Sequence, residues 1–467
     1  MSAKTLQDLV DGVPNIVDHL RNSQIGAFTY PIVPPEYSNW RREQRAWRER
    51  TVLFDQTHHM TSLTLRGPGA ISLISDTAVN SVANFPVDMA KQYVATSTAG
   101  QVIGDGILFR QDDEEYIYVG RAPCANWLAF QAQAGGYDVE TERDDRSPSH
   151  PLGRQVSRKY WRFQIQGPNA WPLIEKLNGG ALEDLAFFRM STMQLGGKTV
   201  RTLRHGMAGT PGLELWGTYD DYLQMRDVVL TVGQEFGIEP VGSRAYSSNT
   251  LESGWIPSPL AAVYTGESLR GYRQWLPATG FEATNSIAGS FVSDDIEDYY
   301  LNPYELGYGT FVKFDHDFHG REALEQLDPQ TQRKKVTFAW NQEDLADLLG
   351  SAADRDGNGY MPFEAPTANY GSSGFDAVAD AGGGVVGLSM FSGYSANEDS
   401  ALSLGVVDAN VPLGAELTLH WGEPDSGTRK TTVVPHELKE VRVVVSPVPY
   451  ARTVRLEYAG GWRTGQD

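Results

Sequence analysis

The chain has 467 residues, a length that suggests about three domains. It carries 39 lysines and arginines against 59 aspartates and glutamates, and the resulting net charge of −20 argues against broad nucleic-acid binding and against docking on anionic membranes. Hydrophobic residues make up 40% of the chain, a share that excludes a disordered, collagen-like or coiled-coil protein.

The first part of the chain mixes helical and strand patterns. Apolar residues at helical spacing predict a helix over residues 1–22, which Pro14 should bend or split, and residues 40–50 predict a basic helix. The segment that follows predicts a strand before Pro68, a helix over 68–79, strands over 102–110 and 115–119, a helix over 126–134 and a linker over 143–153.

The same order of elements recurs after this linker. A strand over 159–166 ends in a Gly-Pro turn before a helix, as the strand ending at Gly67-Pro68 does. The similarity leaves two interpretations open, namely two related α+β units or independent use of a common turn. From about residue 333 onward, short strands separated by Gly, Pro and Asn turns predict a compact β barrel or sandwich.

The cysteine content and the N-terminal sequence indicate the cellular compartment of the protein. Cys124 is the only cysteine, so the chain can form neither an intrachain disulfide nor a zinc site built on several thiolates. The N-terminus lacks the basic start and apolar run of a signal peptide, and no stretch approaches the roughly 18 apolar residues of a membrane span. These features predict a cytoplasmic protein.

No motif predicts a metal site. Residues 354–359 match the first half of a calcium-binding EF-hand loop, but the twelfth position is Ala365 instead of glutamate, so a polar turn is favoured. The pair His58-His59 lacks the spacing of metal-hydrolase ligands.

Glu214 is a candidate binding residue because it follows a glycine-rich run on a predicted short strand. Glycines allow the backbone to approach a flat ligand closely, and a carboxylate is the natural acceptor for two parallel N–H donors, such as those of a pterin or guanine edge. The alternative is a turn before a strand that carries a surface glutamate.

Four motifs in order resemble those of the aminomethyltransferase family, the folate-binding enzymes typified by the T-protein of the glycine cleavage system. They span nearly the whole chain: the segment Gly209 to Gly217, Leu251-Glu252-Ser253-Gly254, Asn302 to Gly307 with Asp317 to Leu324, and Val386 to Ser395. The resemblance implies an α+β fold with three domains around a central folate site: a discontinuous first domain from residues 1–50 and 151–330, a second from 51–150, and a C-terminal β barrel from 331–467.

The resemblance also implies tetrahydrofolate as the one-carbon acceptor. It implies that Glu214 binds the pterin and that Trp255 forms a stacking wall. Gln164 shares one face of a predicted strand with Gln166 and is a further candidate for the folate site, the alternative being an ordinary polar strand face.

The chain departs from the family pattern at three places. The aminomethyltransferases carry an Asp-Asp pair where this chain keeps only Asp105, an asparagine where it has Arg121, and an arginine where it has Tyr246. The chain instead resembles the tetrahydrofolate-dependent aryl O-demethylases that act on vanillate and syringate in a set of side chains: Tyr30, His58, His59, Arg121 and Tyr246.

This resemblance implies transfer of the methyl group of a methoxybenzoate (vanillate, syringate or 3-O-methylgallate, as in lignin catabolism) to folate N5. A tyrosine has a reference pKa of about 10, which matches a departing phenol. We therefore expect Tyr246 to donate a proton to the leaving oxygen, with Tyr30 or His59 orienting or reprotonating it. Packing in a Ser-rich turn is the alternative for Tyr246.

Arg121 is the expected partner of the benzoate carboxylate, because a guanidinium can bind a carboxylate through two parallel hydrogen bonds. A structural ion pair with the acidic turn at residues 112–115 is the alternative. Gln56 is expected near the ring hydroxyl together with His59, and His58 is a further candidate for substrate binding.

Three other functions compete with this prediction. Demethylation of a sulfonium such as dimethylsulfoniopropionate predicts an aromatic cage and little need for Tyr246 as an acid. A folate-binding module without turnover predicts tight folate binding alone. Aminomethyl transfer with a lipoyl carrier protein is disfavoured by the missing aspartate and arginine. No motif predicts an oligomeric state.

Overall fold

The computed structural model describes residues 4–148, 155–257, 259–353, 359–424 and 429–462. Residues 354–358 of the EF-hand-like turn and residues 149–153 of the predicted linker lie outside these ranges.

The first sheet has six strands. Their spatial order is Ile238–Pro240, Thr51–Asp55, Tyr160–Gln166, Gly212–Thr218, Lys198–Arg204 and Met190–Leu195. The first two strands are parallel, and every later neighbour is antiparallel. Residues 51–55 therefore pair with later parts of the chain, whereas the predicted domain boundary assigned them to the second domain.

The second sheet has five antiparallel strands. Their order is Met89–Thr96, Val102–Arg110, Glu115–Gly120, Thr61–Arg66 and Glu140–Asp144. The two sheets meet where the Ala90 N–H donates to the carbonyl of Phe188 at 2.8 Å. The last strand reaches Asp144, so it covers the first residues of the segment predicted as a linker.

The two sheets share one local motif, a Gly-Pro turn between a strand and a helix. Gly67 and Gly167 have φ values of 127° and 130°, in the region that favours glycine. A Cβ at Gly167 would lie 2.3 Å from the carbonyl oxygen of Arg50, so no side chain fits there. The helices that follow begin at Ala70 and Ala170.

Helices occur where the sequence predicted them over residues 1–22, 40–50, 68–79 and 126–134, and the short helices between residues 243 and 325 were not predicted. Pro14 separates the first two, as predicted. The α-helices are Leu6–Gly12, Ile16–Arg21, Trp40–Glu49, Ala70–Thr77, Ala122–Ala134, Ala170–Asn178, Tyr222–Gly233, Ser243–Tyr246, Asn249–Ser253, Arg270–Trp275, Phe281–Thr284, Arg321–Glu325 and Gln342–Ser351. Short 3₁₀ turns occur at Tyr219–Asp221, Gln234–Phe236, Glu267–Leu269, Ile296–Tyr299 and Gly309–Phe311.

The C-terminal region forms a closed six-stranded barrel, as predicted. The strands run in the order Lys334–Trp340, Ser400–Val407, Val385–Ser395, Asp376–Ala379, Glu416–Trp421 and Lys439–Ser446. The prediction missed Asp376–Ala379, which is only four residues long. A two-stranded pair, Ile287–Ala288 with Ser373–Gly374, lies beside the barrel.

The final described segment is a π-helix over Thr453–Trp462, which is called the last helix below. It packs back onto the loop after strand Lys198–Arg204, because a Cβ at Gly209 would lie 2.3 Å from Val454 Cγ1. The two sheets, the segment 246–257 and the last helix together enclose the main cavity.

Candidate functional site

The cavity between the two sheets has a volume of about 430 Å³, which suits a small-molecule ligand. Its wall includes four phenylalanines, Phe109, Phe187, Phe188 and Phe311. Seven of the nine predicted site residues line it: Tyr30, Gln56, His59, Arg121, Glu214, Tyr246 and Trp255.

Glu214 supplies the negative charge at one side of the cavity and is 3% exposed. Its Oε1 accepts a hydrogen bond from Arg162 Nη1, and its Oε2 lies 3.6 Å from His205 Nδ1. Burial raises the pKa of Glu214, but Arg162 and His205 outweigh burial, so the pKa is lower than the ordinary value. The carboxylate is therefore ionised at neutral pH.

Arg162 was missed by the sequence prediction. Its guanidinium lies 4.9 Å from the ring centroid of Phe109 and 5.1 Å from that of Trp216. The charge of Arg162 therefore pairs with Glu214, and its guanidinium packs against these two aromatic rings. Because side chains alternate along a strand, Arg162 shares a face with Gln164 and Gln166. That run of polar side chains on a buried strand was the signal in the sequence.

Gln164 lies behind the wall of the cavity, not on it. It pairs directly across from Glu214 and is fully buried, and its Nε2 donates to the carbonyl of His205 at 2.7 Å. Gln166 accepts from the N–H of Met207 at 2.9 Å. Both glutamines therefore hold the loop that carries His205 and Met207.

The glycines of this loop differ from the expected role. At Gly209 the space that a side chain would need is occupied by Val454 of the last helix. A Cβ at Gly206 would likewise lie 2.5 Å from the Tyr458 hydroxyl. These glycines admit the last helix, whereas the sequence analysis expected them to admit a flat ligand.

Tyr30, His59 and Tyr246, the three predicted catalytic residues, pack against one another on the cavity wall. The Tyr246 ring centroid lies 4.5 Å from that of Tyr30 and 4.8 Å from that of His59. The Tyr246 hydroxyl is 3.1 Å from His59 Nε2. The same hydroxyl also lies 3.7 Å from Met207 Sδ.

Burial sets the protonation of this cluster. It lowers the pKa of His59 to about 3, with nearby arginines adding to the effect, so the imidazole is neutral at physiological pH. Burial raises the pKa of Tyr246 well above the usual value, so its hydroxyl stays protonated. His59 Nδ1 has no hydrogen-bond partner among the residues that the structure describes.

Arg121 lies at the cavity directly before helix Ala122–Ala134. Its Nη1 donates to the carbonyl of Pro257 at 2.6 Å, and burial lowers its pKa. In the acidic turn that was the alternative partner, Asp113 pairs with Arg110 at 3.3 Å.

Asp105 holds Trp255 in place. Its Oδ2 accepts from Trp255 Nε1 at 3.0 Å, from the Tyr308 hydroxyl at 2.7 Å and from Gln92 Nε2 at 3.1 Å. Burial raises the pKa of Asp105, and the hydrogen bonds from Tyr308 and Trp255 oppose that effect. The indole of Trp255 therefore forms a fixed part of the wall, as expected of a stacking residue.

His58 lies outside the cavity wall, in contrast to the expectation that it binds substrate. Its Nδ1 is 2.9 Å from Ser147 Oγ and its Nε2 is 3.4 Å from the Tyr219 hydroxyl. Adjacent residues of the turn face opposite ways, so only His59 reaches the cavity. Burial lowers the pKa of His58 to about 4.

The described residues form neither a metal-binding cluster nor a membrane-spanning helix. In the ranges given above, no three His, Cys, Asp or Glu side chains cluster in a way that could hold a metal ion. Within those same ranges, no helix combines the length and apolar character needed to cross a membrane.

Comparison with known proteins identifies the family. A family model described as the GCVT N-terminal domain matches residues 22–258, just over half of the chain. The chain is 44% identical to syringate O-demethylase of Sphingobium sp. over 99% of both chains. It is 29% identical to sesamin methylene transferase of Sinomonas sp. over 91% of both, and 26% identical to an aminomethyltransferase of Corynebacterium aurimucosum over 71% of this chain and 80% of that one.

The fold is likewise that of a solved relative. The glycine cleavage system aminomethyltransferase T from Bartonella henselae matches 96% of this chain and 98% of its own with a TM-score of 0.58, at 18% identity. The chain therefore belongs to the GCVT aminomethyltransferase family, which confirms the predicted family and fold. It is a methyltransferase that uses tetrahydrofolate.

The residues of the cavity fit tetrahydrofolate. Glu214 presents an ionised carboxylate that can accept the N–H groups of a pterin edge. One buried polar atom on the same wall, His205 Nδ1, has no hydrogen-bond partner among the described residues. The flat walls of Trp255 and Phe109 suit a conjugated ring. When bound, tetrahydrofolate supplies the methyl acceptor.

Proposed function

We propose that the chain is a tetrahydrofolate-dependent O-demethylase of a methoxybenzoate (vanillate, syringate or 3-O-methylgallate), with a phenol and 5-methyltetrahydrofolate as products. The observation that carries the proposal is the Tyr246 hydroxyl, 3.1 Å from His59 Nε2 in the same cavity as Glu214. The 44% identical syringate O-demethylase supports an aryl methyl ether as substrate.

The chemical difficulty is the leaving group. When the methyl carbon–oxygen bond breaks, the electron pair stays on the aromatic oxygen, and a bare phenolate is a poor leaving group. A hydrogen-bond donor at that oxygen lowers the barrier to methyl transfer. Alignment of the methyl carbon between the ether oxygen and the accepting nitrogen lowers this barrier further. In this proposal Tyr246 donates its proton to the departing oxygen as the methyl–oxygen bond breaks and the methyl–nitrogen bond forms. The proton that N5 loses on methylation then restores the Tyr246 hydroxyl, so the products are a neutral phenol and 5-methyltetrahydrofolate.

His59 suits an orienting role better than that of a proton donor. Its low pKa makes it neutral at pH 7, so it holds a single ring proton. If that proton is on Nε2, it donates to the Tyr246 oxygen and leaves the Tyr246 O–H free to point at the substrate. Tyr30 packs on both rings and limits their movement.

The remaining polar groups fit the rest of a methoxybenzoate. Arg121 supplies a cation for the carboxylate, in a chain whose net charge of −20 otherwise repels it. Gln56 lines the cavity and can contact the ring hydroxyl. Dimethylsulfoniopropionate also carries a carboxylate that Arg121 can bind, so the sulfonium alternative is included in the test below.

Product analysis with a substrate panel tests this proposal. The protein is incubated with tetrahydrofolate and, separately, with vanillate, syringate, 3-O-methylgallate and dimethylsulfoniopropionate, and 5-methyltetrahydrofolate is measured together with the demethylated product. Equal amounts of phenol and 5-methyltetrahydrofolate from the methoxybenzoates are expected. Turnover of the sulfonium alone, or folate binding without any methyl transfer, would refute the proposal.

A further inference from the structure

A second arginine, Arg146, lies beside Arg121. The guanidinium carbon of Arg146 is 4.4 Å from the ring centroid of Phe28 and 5.7 Å from that of Phe281. Arg121 packs against the same Phe281 ring, at 5.6 Å. Arg146 makes no hydrogen bond or ion pair within the part of the chain that the structure describes.

The neighbouring acidic group is already engaged. Asp145 Oδ1 accepts from Arg143 Nε at 2.6 Å, which leaves Arg146 with aromatic contacts only. Phe28 and Phe281 fix the plane of the Arg146 guanidinium and keep part of it from water. A half-buried cation that lacks a partner is costly unless an anion binds it.

The positive charges of Arg121 and Arg146 also repel each other. Burial and the charge of Arg121 together lower the pKa of Arg146 to about 10. Both charges also contribute to the low pKa of His59, after burial and Arg158, so the pair acts on the wall of the cavity. An anion bound near both guanidinium groups would relieve this repulsion, because each like charge would then face an opposite one.

We propose that Arg146 binds the carboxylate of the aromatic acid together with Arg121, and that Arg146 makes the enzyme prefer acids over neutral aryl methyl ethers. This inference rests on the proposed function. A carboxylate has two oxygens and can accept from two guanidinium groups at once. The glutamyl carboxylates of folate share this chemistry, so the experiment must separate the two sources.

The test compares an aromatic substrate that carries a carboxylate with the same substrate in which a neutral amide replaces the carboxylate. For wild type, Arg146→Gln and Arg146→Lys, kcat/KM is measured with a methoxybenzoate and with the corresponding neutral methoxybenzamide, and KM is measured for tetrahydrofolate. Arg146→Gln is expected to lower the acid-to-amide ratio about tenfold, mainly through the KM of the acid, because it removes one charged hydrogen bond. Arg146→Lys should restore part of the ratio.

Arg41→Gln is the matched control. Arg41 is an exposed arginine that stacks on the Trp40 ring at 4.1 Å, away from the cavity, so its loss changes the net charge equally. The acid-to-amide ratio should stay at the wild-type value in this variant. Thermal unfolding of every variant shows whether the fold is retained.

Three results would overturn the inference: an unchanged ratio in Arg146→Gln, an equal fall in Arg41→Gln, or a raised KM for tetrahydrofolate in place of the acid. Failure of the proposed function is a separate outcome, in which wild type transfers no methyl group from either ring. In that case calorimetric binding of benzoate to wild type and to Arg146→Gln still tests the subsite, and equal affinities would refute it.

Discussion

Replacing Tyr246 with phenylalanine removes one hydroxyl from the cavity and little else. The ring is 3% exposed and packs against Phe54 at 5.3 Å and Tyr30 at 4.5 Å, contacts that phenylalanine retains. The change leaves His59 Nε2 without its partner, in a ring whose Nδ1 already has none among the described residues. The fold should therefore survive, with the loss confined to the hydroxyl.

Two magnitudes follow from this contact. A positioned general acid typically contributes about 100- to 10,000-fold to a rate, so kcat for methoxybenzoate demethylation should fall by that factor. One unsatisfied buried nitrogen costs about 1–3 kcal/mol of unfolding free energy, which leaves a folded protein. The affinity for tetrahydrofolate should change little, because Glu214 is untouched.

Steady-state kinetics, a folate titration and denaturant unfolding measure these three quantities. Tyr93→Phe is the matched control, since it removes another buried tyrosine hydroxyl, 2.7 Å from Thr77 Oγ1, away from the cavity. It should lose stability but not kcat. Full activity in Tyr246→Phe, or an equal loss of kcat in Tyr93→Phe, would show that the proposed acid is misassigned.

Three further predictions concern charge. Glu214→Gln should raise the Kd for tetrahydrofolate about 10- to 100-fold in a fluorescence titration, because a charged hydrogen-bond acceptor is lost; an unchanged Kd would place the pterin elsewhere. Arg121→Gln should raise KM for the methoxybenzoate more than it changes kcat, and an unaltered KM would contradict the carboxylate assignment. Burial lowers the pKa of His58 and His59 to about 4 and about 3, below the unfolded value near 6.5, so the unfolded state binds more protons in that window. The contribution of these histidines to the unfolding free energy should therefore be fully present above pH 6.5. As the pH falls below 6.5, the unfolding free energy should decrease by up to about 1.4 kcal/mol per pH unit for each histidine. Denaturant unfolding at pH 7 and pH 5 measures this, and a flat profile, or an undiminished slope in His58→Asn, would disprove it.

Local pattern accounts for most of the fold that could be predicted. The break at Pro14 and the Gly-Pro turns have backbone causes that act within a few residues, so sequence is enough to find them. Pairing between distant strands is different. The pattern of residues 51–55 does not predict that this strand pairs with Tyr160–Gln166 and Ile238–Pro240. That pairing depends on packing between segments that lie more than 100 residues apart in the sequence.

The site divides in the same way. Residue type and family motif led to Glu214 and Tyr246, but not to the cation that faces the carboxylate, since Arg162 reaches Glu214 only across paired strands. His58 and His59 are neighbours in sequence, and only the turn geometry decides which ring enters the cavity. Arg146 was missed because nothing in sequence places it beside Arg121.

Transfer of a labelled methyl group tests the central claim most directly. Syringate carrying ¹³C in its methoxy groups is incubated with the protein and tetrahydrofolate, and the folate product is examined by NMR. One ¹³C-methyl group on N5 is expected for each phenol released by the wild type, and almost none is expected from Tyr246→Phe. Label recovered as methanol or formaldehyde, or a Tyr246→Phe variant that matches wild type, would contradict the central claim.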